Sequence, residues 1–441
     1  MAERQSQVRM MGAVYSKATK VLCWLGPLDE RKENAESKAI STIQFLRDFN
    51  RSPHFIWGKQ EFWLDWTKIA TFCRFMDDNS ASVINYFGMK SWVANHINHV
   101  WETDSTGTAV CTSFVEVLHW ARIHHSTDPR DYIYALLSHP RAKVDGSLLI
   151  DPNYAITAAQ TYTEFALNMI DRTNSLQLLA FVDHPEEPSK LGLPTWVPDW
   201  HALNPVAPLR YPTKAAAVID TYISFNKVGE VKVLKCRGCV IDTVQCISEM
   251  IVPRDLTVTT LEKEMLKGIP FLIYHIWDTV VLRDGSPCIS LVGFVKSLSL
   301  VLSGGYPNVS DSTSGATQEQ QKFDFAAFVL DTGISRKDRD LLETMAARGS
   351  AQQFIQDMTG TSMCRKVLGT AKGNHIGLGP RIMREGDVCA VIIGAAYPMV
   401  LRRYASLYPL VGPALLYGFM NGEAEKLCQN RVIFEQVIEI V

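Results

Sequence analysis

The chain lacks an excess of charge of either sign. Its 44 Lys and Arg stand against 46 Asp and Glu, for a formal net charge of −2 over 441 residues. A surface that tracks phosphates needs a clear basic surplus, so nucleic acid is not an expected partner. Long apolar runs are missing too. The nearest, "FLIYHIWDTVVL", is interrupted by His275 and Asp278, whereas a membrane span needs roughly 18 uninterrupted residues. The first residues follow an amphipathic helix pattern in place of a basic stretch and an apolar core, so a secretory signal is not expected. Paired cysteines are scarce: the ten Cys lie mostly singly in apolar runs, as at Cys23, Cys73 and Cys389. That pattern implies buried thiols in a reducing compartment and a cytoplasmic protein. No Gly-x-Ser-x-Gly elbow and no EF-hand loop occurs, and the glycine-dense "GNHIGLGP" (373–380) has no following Lys-Ser/Thr. A serine-hydrolase elbow, an EF-hand calcium site and a P-loop are thereby excluded. No internal repeat is evident.

What is present is an ordinary globular balance, 47% hydrophobic and 20% charged, in a chain long enough for two or three domains. Val8, Met11, Tyr15 and Ala18 recur at helical spacing, and "VLCWLG" then reads as a strand buried on both faces. Ala39, Ile43 and Leu46 mark a second amphipathic helix, so helix, buried strand and helix form the middle of a doubly wound α/β unit. Residues 55–125 are rich in aromatics and read as mostly helical. In "STDPRDYIYALLSH", Asp128 suits an N-cap, Pro129 the first helical position and Asp131 the first turn. Thr157 and Gln160 form a capping box before the stripe Tyr162, Phe165, Met169. The Pro- and Trp-punctuated "LGLPTWVPDWH" reads as extended chain in a linker. Beyond it come strands with a hairpin near Gly229, helices over about 258–366, and short C-terminal strands about ten residues apart, the spacing of a small barrel or sandwich. The expected organisation is an α/β and helical domain over 1–185, a linker over 186–215, and a β-rich domain over 216–441 with a helical insertion at about 258–366.

Four motifs could carry chemistry, and each has a plainer reading. "FVLDTGIS" (328–335) looks like half an aspartic protease, but that mechanism needs two carboxylates sharing a proton; a helix end at Gly333 and a new cap at Ser335 fit better. "CRGC" (236–239) has half-site zinc spacing, yet no second pair lies nearby, and on a strand Cys236 and Cys239 point to opposite faces. His119, His124 and His125 lack the spacing of zinc ligands on a helix. The glycines of 373–380 read as turn residues. No catalytic, cofactor-binding or metal-binding residue is assigned.

Four stretches taken in order, residues 3–26, 126–139 with 154–170, 193–200 and 377–424, resemble the fungal heterokaryon incompatibility (HET) domain family. The matching residues are Glu3, Arg4, Trp24, Gly26, Asp128, Pro129, Arg130, Asp131, Trp196, Pro198, Trp200, Gly386, Asp387, Gly394, Gly412, Gly422 and Glu423, which we read as structural. The resemblance implies a protein of fungal self/non-self recognition whose action ends in cell death. It also implies a doubly wound N-terminal fold similar to Toll/interleukin receptor domains, some of which cleave NAD, so an NAD glycohydrolase is one alternative. A non-enzymatic binding or scaffold protein with an unidentified protein partner is the other. The family pattern begins with two strands, the first bearing a Leu-Ser-Tyr-x-Trp-Gly motif, that precede the segment at Glu3; they are missing here, so the expected N-terminal unit is incomplete. No cofactor and no metal is expected.

Overall fold

The computed structural model describes residues 5–7, 10, 23–24, 54–57, 60–63, 113–122, 124–187, 190–202, 209, 223–228, 231–251, 276, 280, 282–283, 286–287, 290–304, 318–331 and 339–441. Glu3, Arg4, Gly26 and the expected helix at 39–46 lie outside them. The chain divides into two units, 1–161 and 162–441. It is a mixed helix and sheet protein, with an antiparallel sheet that does not close. Among the described residues no helix is long and apolar enough to cross a membrane.

In the first unit, β1 (Cys23–Trp24) pairs in parallel with β2 (His54–Trp57), so the strand expected at "VLCWLG" has a partner. β2 pairs antiparallel with β3 (Gln60–Trp63), Trp57 opposite Gln60. Residues 55–57 and 60–63, within the 55–125 stretch read as mostly helical, are thus strand. Phe55, Ile56, Phe62 and Trp63 are residue types that favour a pleated surface, and only Gly58 and Lys59 separate the two runs. Helix α1 (Phe114–Ala121) buries Phe114, Val117, Leu118 and Ala121, the i, i+3, i+4, i+7 stripe of an amphipathic helix. The short α2 (Asp131–Tyr134) follows. It is shorter than "PRDYIYALLSH" leads one to expect and starts later, which corrects the placing of Asp128 at the cap and Pro129 at the first helical position. Arg130 is the N-cap, without a side-chain capping bond, and Asp128 Oδ1 accepts from Arg130 N at 3.1 Å in the turn before it. A 3-10 turn at Pro140–Ala142 leads to the hairpin of β4 (Lys143–Val144) and β5 (Ser147–Leu148). The division between units falls inside α3 (Ala158–Thr173). That helix opens with the expected capping box, Thr157 N donating to Gln160 Oε1 at 2.9 Å and Gln160 N to Thr157 Oγ1 at 3.2 Å.

The second unit is organised by one long strand. β6 (Ile223–Val228) pairs antiparallel with β7 (Val231–Met250), Val228 opposite Val231, so the expected hairpin forms. After the small hairpin of β8 (Leu282–Arg283) and β9 (Ser286–Pro287) come α4 (Leu291–Ser303), α5 (Gln318–Asp331), α6 (Arg339–Ala346) and α7 (Ala351–Ser362). Strands β10 (Arg365–Thr370), β11 (Ile376–Pro380), β12 (Val388–Ile392), β13 (Met399–Leu401), β14 (Leu410–Pro413) and β15 (Leu415–Leu416) follow, then α8 (Glu423–Gln429) and β16 (Glu435–Ile440).

β7 is long enough to carry four partners in succession. It pairs with β6 over 231–236, β16 over 234–239, β12 over 238–243 and β10 over 244–250. The overlaps put β16 on the edge opposite β6 and β12. The remaining order runs β14-β13-β12-β7-β10-β11-β15. Its two ends are separated in the chain by Ala414 alone, so the sheet is strongly curled. Val244, Leu368, Met383, Cys389, Val400, Val411, Leu416 and Phe419 form one buried cluster of this sheet. Gly377 and Gly379 lie within β11, which corrects their reading as turn residues. A Cβ at Gly377 would stand 2.6 Å from Leu415 O, so glycine there permits close strand approach.

The inserted helices have a core of their own. Phe294, Phe325, Phe328 and Phe354 are fully buried, with ring centroids 5.0 Å apart for Phe325 and Phe354 and 5.3 Å for Phe328 and Phe354. Each such ring contributes about 1.5–3 kcal/mol by burial. Ser362 Oγ donates to Leu302 O at 2.7 Å and Thr361 Oγ1 to Ser303 O at 3.1 Å, tying the end of α7 to the end of α4.

Candidate functional site

Arg130 organises the polar cluster of the first unit. Its Nε and Nη2 grip Asp128 at 2.9 and 2.8 Å, and Nη1 donates to the carbonyls of Tyr154 and Ile156, both at 2.7 Å. The guanidinium also lies 5.0 Å from the Tyr154 ring centroid. The Asp128 hydrogen bond raises the Arg130 pKa above its ordinary value. Tyr154 Oη donates to Asp131 Oδ1 at 2.5 Å, and Tyr134 lies edge-on to Tyr154. The "DPRD" residues thus bind the loop at 153–157 to the start of α2. Asp128 and Asp131 are both engaged in that task, and Pro129 accepts from Tyr132 N at 3.3 Å. Arg130→Met is expected to cost about 2 kcal/mol, since two carbonyls and a carboxylate lose charge-assisted donors. Hydrogen exchange at residues 151–157 reads the effect. Arg130→Lys, which keeps the charge but loses the planar fork, should recover less than half of it.

In the second unit "LPTWVPDW" is built into the fold. Trp196 and Trp200 are fully buried and Pro198 is buried beside them. Trp196 Nε1 donates to Lys232 O at 3.1 Å, and Trp200 lies edge-on to Phe165. Thr195 N and Oγ1 both donate to Val441 O, while Leu410 N donates to Thr195 Oγ1 at 2.8 Å. One segment thus joins β7, β14 and the C-terminal residue. A carbonyl of the same segment, Thr195 O, accepts from His184 Nε2 at 3.0 Å, and burial holds the His184 pKa below its ordinary value.

Two ion pairs flank the curled sheet. Arg402 grips Asp387 from Nε at 2.8 Å and Nη2 at 2.9 Å, and the same Nη2 donates to Ile382 O at 3.0 Å. Arg384 N donates to Asp387 Oδ2 at 3.0 Å. Asp387 is 1% exposed. Arg381 grips Asp183 at 3.2 and 2.5 Å. Near this second pair, burial pulls the Arg365 guanidinium down to about 10, with Asp183 raising it and Arg381 opposing. Asp242 is another buried carboxylate. Burial opposes its ionisation, but the N–H groups of Gly373, Thr243 and Lys372 and the Thr370 hydroxyl outweigh that and hold its pKa below the usual range.

The other motif residues sit on strands, as Trp24 of β1 and Gly412 of β14 do, or at turns and helix starts. Gly386, Gly394, Gly412 and Gly422 all have positive φ, and Glu423 opens α8, its Oε2 accepting from Asn421 N at 2.7 Å. The segment expected to be strand runs to residue 424, but β15 ends at Leu416; Gly422 is the N-cap of α8 and the acidic first turn favours the helix. Asp331 of "FVLDTGIS" is the last residue of helix α5, where an aspartic protease needs a strand. Cys236 Sγ faces Ile438 O at 3.6 Å, whereas Cys239 Sγ stands 2.9 Å from Cys428 Sγ. His119 is buried on α1; His124 has its pKa lowered by burial and by His125. Among the described residues no group of three or more His, Cys, Asp or Glu is placed to hold a metal ion.

The motif carboxylates Asp128, Asp131, Asp387 and Glu423 all accept hydrogen bonds that shape loops and helix starts. The arrangement is therefore one of anchoring rather than proton transfer. Their partners Tyr154 and Arg402, and the anchoring Thr195, lie within the resembling stretches but are not among the matching residues singled out there. In comparison with known proteins, no family description matches the chain, and neither a curated protein nor a solved structure matches it.

Proposed function

We propose that this chain acts in heterokaryon-incompatibility-type self/non-self recognition, as a cytoplasmic protein that signals by binding another protein and not by catalysis. The observation that carries the reading is the use of the motif residues. Those that resemble the HET family, Asp128, Arg130, Asp131, Trp196, Trp200 and Asp387, are anchors of loops and strand ends, so what the resemblance would pass on is a scaffold. On this reading the parallel pair β1 and β2 belongs to a doubly wound, Toll/interleukin receptor-like unit, and the curled, open sheet of the second unit is a barrel-like or sandwich-like variant. Fold-level likeness does not by itself bring an activity with it. An NAD glycohydrolase needs a carboxylate free to work on the substrate, and among the described residues the motif carboxylates Asp128, Asp131, Asp387 and Glu423 are bonded elsewhere.

Inducible expression of the full chain in a filamentous fungus is the test. Growth arrest with uptake of a vital dye is expected, together with no release of nicotinamide when the purified protein is incubated with NAD. Unimpaired growth would overturn the signalling reading, and nicotinamide release would replace the binding mechanism with the enzymatic one.

A further inference from the structure

We propose that Cys239 and Cys428 form a reversible intrachain disulfide site, through which a disulfide oxidant of the glutathione type joins β7 covalently to α8. The two sulfurs stand 2.9 Å apart, although the residues are 189 positions apart in the chain. A disulfide bond is about 2.05 Å long, so closing the bond requires a shift of under about 1 Å.

Both thiols are held by their surroundings. Cys239 is paired on both edges of β7, with Val391 of β12 on one side and Glu435 of β16 on the other. Cys428 lies in the last turn of α8, whose Ala424 and Leu427 pack on the buried cluster of the curled sheet. Neither sulfur can easily move away, so proximity is built into the fold. Cys236 and Cys246 are placed differently, each facing a backbone carbonyl, Ile438 O and Gly369 O.

The difference in exposure sets the order of events. Cys239 is 5% exposed, and burial with the Cys428 hydrogen bond pushes its pKa up to about 12. Cys428 is partly exposed and meets the oxidant first. Its thiolate attacks glutathione disulfide, breaking that S–S bond, forming a mixed disulfide at Cys428 and releasing one glutathione thiolate. The Cys239 sulfur then attacks the Cys428 sulfur. Its proton passes to the second departing glutathione, and the Cys239–Cys428 bond forms. Two protein thiols are oxidised, and one glutathione disulfide is reduced to two glutathione molecules. An excess of reduced glutathione reverses both steps. The closed loop contains helices α4–α7 and strands β10–β15, so the bond ties off most of the second unit against unfolding.

The test uses the full chain, fully reduced and then exposed to glutathione disulfide. After alkylation, digestion and non-reducing mass mapping, a peptide pair linked through Cys239 and Cys428 is expected. Those two cysteines should be the ones lost to alkylation, and dithiothreitol should restore both. The oxidised chain should also melt at a higher temperature than the reduced chain. Because the wild-type map is decisive, the result does not depend on whether Cys428→Ser folds; where it does, the rise in melting temperature should vanish. A glutathione adduct that persists on Cys428 without resolving, or a map unchanged by the oxidant, would overturn the proposal.

Discussion

Replacing Arg402 with methionine will lower the urea midpoint of the second unit by on the order of 1 M, through a loss of about 3 kcal/mol. Asp387 is 1% exposed, and both of its oxygens depend on Arg402 for charge-assisted hydrogen bonds. With Arg402 gone, one backbone donor is left, Arg384 N. A buried carboxylate stripped of its partner typically costs about 3–5 kcal/mol. The lower end applies because the Arg402 side chain is 25% exposed, so water can reach part of the vacated space. The damage should be local at first. Arg402 Nη2 also holds Ile382 O, while Val244 N donates to Asp387 O and Gly386 N to Val244 O, so the turn at 382–387 and the β7–β12 junction share one clamp. The double variant Arg402→Met with Asp387→Leu removes both charges and should be more stable than Arg402→Met alone. If the single variant melts within about 0.5 kcal/mol of wild type, the ion pair is not what holds this turn.

The parts of this structure that the sequence made legible are those encoded within a few residues. The Thr157–Gln160 capping box is a three-residue relation, and the hairpin of β6 and β7 joins two neighbouring runs rich in β-branched residues. Buried strands such as Val388–Ile392 announce themselves as unbroken apolar runs. The mostly helical reading of 55–125 missed the strands at its start because aromatic density does not separate helix from strand; the deciding feature is the two-residue gap at Gly58 and Lys59. The opposite facing of Cys236 and Cys239 could be read from strand periodicity, but not the partner of Cys239, which comes from 189 residues away. Asp131 with Tyr154 and Asp387 with Arg402 are likewise pairs across 23 and 15 residues. Such pairs leave no periodic trace, because each is fixed by how separate elements pack. The twenty residues of β7 are the extreme case. Their four partners come from residues 223 to 440, so their pairing order is a property of the whole second unit.

Gly412→Val should destabilise the second unit by about 3–5 kcal/mol, more than Gly386→Val, although both glycines have positive φ. At Gly386 φ is +87° and a Cβ would meet nothing within 4 Å. Its replacement costs backbone strain alone, about 1–2 kcal/mol. At Gly412 φ is +146°, and a Cβ would stand 2.8 Å from Pro380 Cγ and 3.3 Å from Val182 O. Strain and overcrowding therefore add, and the crowding is hard to relieve. Pro380 ends β11, a ring with little freedom of its own, and Val182 lies beside the Asp183 that Arg381 grips. A thermal melt distinguishes the two terms. At about 2 °C per kcal/mol for a unit of this size, Gly412→Val should fall by on the order of 6–10 °C and Gly386→Val by less than half of that. Gly412→Ala tests the crowding directly, since a single methyl already makes the Pro380 contact and should retain most of the loss. Gly386→Asn should be nearly neutral, because asparagine tolerates the left-handed region in open space. Equal losses at the two valine variants would mean that Pro380 yields freely, and that the junction of β11 with β14 is held by backbone geometry rather than by close packing.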